Sequence, residues 1–204
     1  MKKVFLAVIL MALMFTNSLA QESKEITLQI EKGEKWHHNL QILFFQKKLS
    51  PQIAIWSEDE KGNYLKTLYI SEKTYRWYKS GGAKRKESLP VWRNRVESVT
   101  DGAAGATETL EKNRYRVKNR KVTVYMEVNN SFDYNSFYTK SSSKSSGQPS
   151  LVYAAQIDTD NESIAEFKLI GHGSSDGSDG VIYKDMSNIS DALKILKYGA
   201  IKIK

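Results

Sequence analysis

The apolar spacing of this chain constrains its fold more than any other feature: it has a period of two almost throughout. Strands point successive side chains to opposite faces, so such alternation marks strands buried on one side. Glu25–Glu31 sets Ile26, Leu28 and Ile30 against polar neighbours. Leu40–Gln46 and Gln52–Glu58 read as two strands divided by a turn at Ser50-Pro51. Glu58–Asn63 reads as a polar hairpin turn with Gly62 where a positive φ is cheap, and Asn63–Ser71 as the returning strand. Asn113–Val117 and Lys121–Val128 continue the pattern, Ser150–Asp158 and Ser163–His172 form an expected hairpin, and Ala200–Lys204 is a last strand.

Between Glu72 and Lys112 the alternation lapses, with Tyr75, Trp77, Tyr78 and Trp92 scattered among Gly, Pro and basic residues. So long a stretch inside a compact domain is expected to be functional or partly helical. Glu87–Val99 supplies a short helix, since Pro90 is tolerated in a first turn. Ser187–Lys197 reads as the one full helix, capped by Asn188 or Ser190, with Leu193 and Leu196 on one face and Gly199 ending it. Lys140–Pro149 is serine-rich and reads as a mobile loop.

Many short strands with turns between them predict a mainly β fold: an antiparallel immunoglobulin-like β-sandwich with one late short helix. Residues 21–204 are expected to form a single domain with an irregular insertion at 72–112 and the mobile loop at 140–149. No βαβ pattern occurs, which argues against a doubly wound nucleotide site.

The start of the chain carries a secretory signature. Lys2 and Lys3 precede the apolar run Val4–Phe15, and Ser18-Leu19-Ala20 gives a small-x-small cleavage pattern. Residues 1–20 are therefore expected to be a signal peptide, and the protein to be periplasmic or secreted without stable membrane insertion after cleavage. The chain has no cysteine, which excludes disulfides, thiol catalysis, lipidation at cysteine and cysteine-ligated metals. Its net charge is +8, with basic clusters at Lys79–Glu87 and Lys112–Lys121. No recognition motif accompanies them, so they read as solvated faces, and nucleic acid is not an expected partner.

Three stretches bear residues suited to chemistry. Glu127–Tyr138 sets Asn129, Asn130, Asp133 and Asn135 among Phe132, Tyr134, Phe137 and Tyr138. Amides and a carboxylate between aromatic faces suit a sugar or another planar polar ligand, although Asn and Asp also bind their own backbone at such corners. Leu169–Gly180 holds His172 between Gly171 and Gly173, with Asp176 and Asp179 following. A histidine beside carboxylates is a candidate metal or acid–base site, but no second histidine stands at metal spacing and the acids lack calcium-loop spacing. No serine-hydrolase elbow, phosphate-binding glycine loop or zinc helix motif occurs, so the reading leans away from an enzyme.

The third stretch is Asp101-Gly102-Ala103-Ala104-Gly105-Ala106-Thr107. It resembles the acceptor motif of exported flavin-carrying domains, D-G-x-[ST]-G-A-T, in which a flavin transferase joins FMN through its phosphate to the last threonine. The resemblance implies Thr107 as the acceptor, with Asp101 and Gly105 as motif residues; Ala104 departs from it, standing where a hydroxyl residue is usual.

A broader resemblance spans most of the chain. The ordered set Pro51–Ser71, Glu87–Trp92, Asp101–Thr107, Glu127–Asn135, Gly147–Asp158 and Leu169–Gly177 is similar to a family of uncharacterised periplasmic β-sandwich proteins. That family is associated with flavin-transferase and membrane redox genes. The resemblance implies an exported accessory of a flavin-linked redox system, with a flavin transferase and a membrane redox protein as partners. In that family a second histidine commonly stands where this chain has Ser174. The alternative is a non-enzymatic ligand-binding module built on Asn129, Asp133, Tyr134 and His172.

Overall fold

The computed structural model describes residues 23–79, 85–96, 103–105, 110, 114–143 and 147–204. The expected signal peptide, Asp101 and Thr107 lie outside the described residues. The fold is mainly β, a β-sandwich as the alternation requires.

In chain order the strands are β1 (Lys24–Lys32), β2 (His38–Ile42), β3 (Phe45–Leu49), β4 (Gln52–Glu58), β5 (Tyr64–Ser71), β6 (Ala103–Gly105), β7 (Arg114–Val117), β8 (Lys121–Asn129), β9 (Leu151–Asp158), β10 (Ile164–Glu166), β11 (Lys168–His172) and β12 (Leu196–Ile203). Among the described residues three short helices interrupt them: α1 (Glu72–Lys79), α2 (Pro90–Arg95) and α3 (Lys140–Ser143). One sheet has the order β10-β12-β1-β7, and a larger one runs β11-β9-β8-β4-β5-β6. All named strand pairs are antiparallel except β5–β6, which is parallel.

The two sheets share one core. Ile26, Leu28 and Ile30 of β1 and Ile201 and Ile203 of β12 meet Ile53 and Ile55 of β4, Val124 and Met126 of β8, and Tyr153 of β9. The outer face of the larger sheet carries a second core, where Ala54, Trp56, Ile70 and Val152 pack with Leu89, Val91 and Trp92 around α2. Tyr75 and Tyr78 of α1 join this layer. Strand β4 is thus covered on both sides and buried along its whole length, odd positions facing one core and even positions the other. Helices α1 and α2, both within the segment that breaks the sequence alternation, thus roof the larger sheet.

Several expectations change. Leu40–Gln46 is not one strand: it turns at Leu43-Phe44, and β2 and β3 form their own hairpin. Leu43 takes a φ of 49°, the left-handed conformation that a tight turn imposes. Ser163–His172 is not the return strand of a simple hairpin. It divides at Phe167, so that β10 pairs with β12 in one sheet while β11 pairs with β9 in the other.

The late helix is a four-residue 3-10 turn, Asp191–Lys194, and the chain from Leu196 onward is already strand. Ile189, Ala192 and Ile195, three apart, are the buried residues here, a spacing that suits three residues per turn. The carbonyls of Lys194 and Ile195 accept the N–H groups of Lys35 and Gly33, so pairing with the chain beyond β1 replaces continued helix. A Cβ at Gly33 would lie 2.1 Å from the Lys194 oxygen, which makes glycine necessary at this approach.

Candidate functional site at one end of the larger sheet

The strand registers gather the singled-out stretches at one end of the larger sheet. His172 at the end of β11 pairs with Leu151, which pairs with Val128, the residue before Asn129. Asn129 pairs with Gln52 at the start of β4. The neighbouring Ile53 donates its N–H to Ser71 Oγ at 3.2 Å, and Ser71 pairs with Gly105 at the end of β6. Thus β11, which leads into the histidine loop, β8, which leads into the aromatic corner, and β6 all finish at the same end of the sheet. Residue spacing carries no sign of this, because it depends on the order in which the strands pair.

Most of the expected ligand groups are held within the chain. Asn129 donates Nδ2–H to Gln52 Oε1 at 3.0 Å, and Asn130 donates to the Lys35 carbonyl at 2.6 Å. Gln52 Nε2, Asn129 Oδ1 and Asn130 Oδ1 are buried and meet no partner among the described residues. Asp133 Oδ1 accepts the Gln148 N–H at 3.0 Å, and Gln148 Nε2–H returns a bond to the Asp133 carbonyl at 2.9 Å. Burial pushes the Asp133 carboxyl up to about 8, against the Gln148 hydrogen bond that favours its charge. Gln148 Oε1 also accepts the Ser190 N–H, and Asn135 Nδ2–H donates to the Asn188 carbonyl, so the corner anchors the 3-10 turn.

Tyr134 is half-buried, its hydroxyl raised above its ordinary value first by burial and then opposed by the charge of Arg85. The Arg85 guanidinium lies 5.3 Å from the Phe132 ring centre and 3.5 Å from Glu87. Glu87 and Lys86 in turn press on Gly177, whose φ of 70° permits the contact. The segment Arg85–Glu87 therefore lies between the aromatic corner and the histidine loop.

His172 is buried, with its ring stacked on Tyr183 at 5.5 Å. Its Nδ1–H donates to the Gly173 carbonyl at 2.7 Å, which leaves Nε2 as the acceptor nitrogen. Neither expected acid pairs with it. Asp176 accepts from Ser174 Oγ and the Ser178 N–H, which hold its carboxyl well below the usual range. Asp179 accepts from the Val181 N–H and the Tyr183 hydroxyl. Among the described residues no three His, Asp or Glu side chains converge as a metal would need.

Glu127 is the residue that sequence reasoning missed as a candidate. It reads as one polar position in a strand, yet it is 0% exposed. Its Oε1 accepts from Ser150 Oγ at 2.6 Å and from the Val91 N–H at 3.2 Å, and its Oε2 from the Trp92 N–H at 2.7 Å. Burial raises the carboxyl to about 7 even against these three donors. A Cβ at Gly173 would sit 3.0 Å from Glu127 Oε1, so the histidine loop closes directly over this carboxylate. The one signal for it in the sequence is an acid between Met126 and Val128 in an otherwise apolar strand.

Two open cavities, of about 390 and 400 Å³, lie at the opposite end of the sandwich, beside Ser57, Leu65 and Arg116 and beside Lys121 and Gln156. No helix among the described residues is long and apolar enough to cross a membrane. Comparison with models of protein families, with curated proteins and with solved structures gave no match.

Proposed function

We propose that this chain is an exported, non-catalytic accessory of an extracytoplasmic flavin-linked redox system, with Thr107 accepting FMN covalently. The observation that carries the reading is the parallel pairing of Ser71 with Gly105, two positions before Thr107. Ala103–Gly105 form a terminal strand of the larger sheet, which finishes at the end where the other two candidate loops emerge. A covalent acceptor must enter a second enzyme's active site, and an end strand on a rigid sheet suits that better than a central one. In the transfer the Thr107 oxygen forms the new P–O bond to the FMN phosphorus, the pyrophosphate bond of a flavin adenine dinucleotide donor breaks, AMP leaves, and the hydroxyl proton goes to the transferase. A flavin transferase and a membrane redox protein are the partners of this reading. Co-expression with a flavin transferase followed by intact-mass measurement tests it. The expected result is one added FMN, lost in Thr107→Ala; no added mass, or addition that survives Thr107→Ala, overturns it.

A second reading, a periplasmic ligand-binding module, is favoured by the unpartnered Gln52 Nε2, Asn129 Oδ1 and Asn130 Oδ1 among the described residues. Neutral sugars titrated into isotope-labelled protein would shift the side-chain amide resonances of these residues. Unchanged spectra across the panel dispose of it.

A further inference from the structure

The β2–β3 hairpin presents an apolar tip that the fold does not use. Leu43, Phe44 and Phe45 are consecutive there and are 81%, 94% and 68% exposed. Isolated apolar side chains are ordinary on surfaces, but three large ones together at a turn mark an interaction site. The two strands pack chiefly on each other, and the root of the hairpin is fixed by buried Trp36 and Leu49. Directly behind the tip β3 exposes Lys47 and Lys48, which pair with Leu40 and Asn39 across the hairpin. The charge of Lys47 also reaches Lys73 of α1, whose ammonium is held below its ordinary value first by burial and then by nearby cations, so the base of the hairpin is basic.

We propose that this hairpin inserts its Leu43-Phe44-Phe45 tip into an anionic lipid surface, with Lys47 and Lys48 at the headgroups. The shape favours lipid over a protein partner. A narrow two-stranded tip is a convex wedge, and three such side chains offer on the order of 500 Å². A stable protein interface takes ~800 Å² from each partner. Interfacial anchors bury apolar groups only ~5–10 Å deep and set cations at the headgroup level, as an apolar tip backed by two lysines does. The site is independent of the flavin reading. Only Ser50 and Pro51 separate β3 from β4, so the hairpin roots at the sheet end that carries Asn129, His172 and Gly105. Docking through it brings that end to the membrane.

The absence of cysteine makes a site-specific test clean. The full chain is expressed and purified after export, with Leu43→Cys carrying an environment-sensitive dye, and Lys61→Cys, in the β4–β5 turn at the other end, as the control. Vesicles of phosphatidylcholine alone and with phosphatidylglycerol are the probes. On anionic vesicles the dye at position 43 is expected to shift to the blue and to be quenched by lipid-borne nitroxide, while position 61 stays in water. The dye reports this hairpin alone, so binding through any other segment leaves it unchanged. Phe44→Ser with Phe45→Ser lowers vesicle affinity about tenfold or more without changing the melting temperature. Lys47→Glu with Lys48→Glu removes the preference for anionic lipid. A dye at position 43 that stays in water overturns the proposal. Equal response to neutral vesicles does the same, and so does a blue shift that grows with protein concentration in the absence of lipid, the signature of a second copy.

Discussion

The Glu127 carboxylate accepts the Trp92 backbone N–H at 2.7 Å, and this bond joins the middle of the larger sheet to the helix that roofs it. Val91 and Ser150 donate to the same carboxylate. Helix α2 is too short to be stable alone, so its first turn depends on this acceptor and on the apolar contacts of Val91 and Trp92. Glu127→Leu leaves two backbone N–H groups and a hydroxyl buried without an acceptor. Each such group costs ~1–3 kcal/mol, so a loss of about 3 kcal/mol or more is expected in denaturant unfolding. A loss below about 1 kcal/mol would mean that the carboxylate does not hold α2.

The same carboxyl makes stability depend on pH. Glu127 lies near 7 and Asp133 near 8 in the folded chain, both above their ordinary values of 4.5 and 3.8. The folded protein therefore binds more protons than the unfolded chain from about pH 4 to 8, and stability falls as pH rises through that window. Below it both states are protonated and these groups contribute nothing; above it the full penalty applies. Asp133→Asn keeps an acceptor for the Gln148 N–H and removes the buried charge. It is expected to be nearly neutral below pH 4 and stabilising above pH 8, by a few kcal/mol, in unfolding measured at both ends. Equal effects at the two pH values would refute the assignment.

Which features were legible in the sequence follows from whether they are local. The alternation at Ile26, Leu28 and Ile30 reads directly as β1, because side-chain period is a property of the strand itself. Gly62 takes the positive φ expected of its turn, 79°. Strand β4 is different: Ile53 to Trp56 is buried on both faces, and nothing in an apolar run says what covers its second side. The late helix is shorter than the sequence suggests: Leu193 and Leu196 match a helical face, whereas tertiary pairing of Leu196 with Lys32 draws that segment into β12. At the candidate site, the sequence singles out Asn129, Asp133 and His172 one loop at a time, without the pairing that brings their strands to one end. Glu127 was not, since its three donors come from segments 23 to 36 residues away in sequence.

Trp92 is the second link between roof and sheet. Its Nε1–H donates to Thr67 Oγ1 at 3.0 Å on β5, and Tyr78 meets its ring edge-on at 5.5 Å. Trp92→Phe removes the donor and some volume from a side chain that is almost wholly buried. The Tyr64 hydroxyl still reaches Thr67 Oγ1 at 2.8 Å, so that oxygen is not orphaned. A loss of roughly 1–3 kcal/mol is expected, from one hydrogen bond and a partly filled cavity. Near-ultraviolet circular dichroism checks the site, and a variant as stable as the parent would remove Trp92 from this role.

Two glycines separate backbone strain from packing. At Gly62 a Cβ meets nothing within 4 Å, so Gly62→Ala carries only the left-handed backbone cost of roughly 1–2 kcal/mol. At Gly173 a Cβ would lie 2.6 Å from both Pro90 Cγ and Ser150 Oγ and 3.0 Å from Glu127 Oε1. Relieving that clash means moving the proline at the start of α2 or the hydroxyl that donates to Glu127. Gly173→Ala is therefore expected to cost about 2–3 kcal/mol, in the range of overpacked cores, and to loosen α2. Hydrogen exchange reads the difference: the Trp92 amide should lose protection in Gly173→Ala but keep it in Gly62→Ala. Equal protection in both variants would show that the histidine loop does not brace the roof through Glu127.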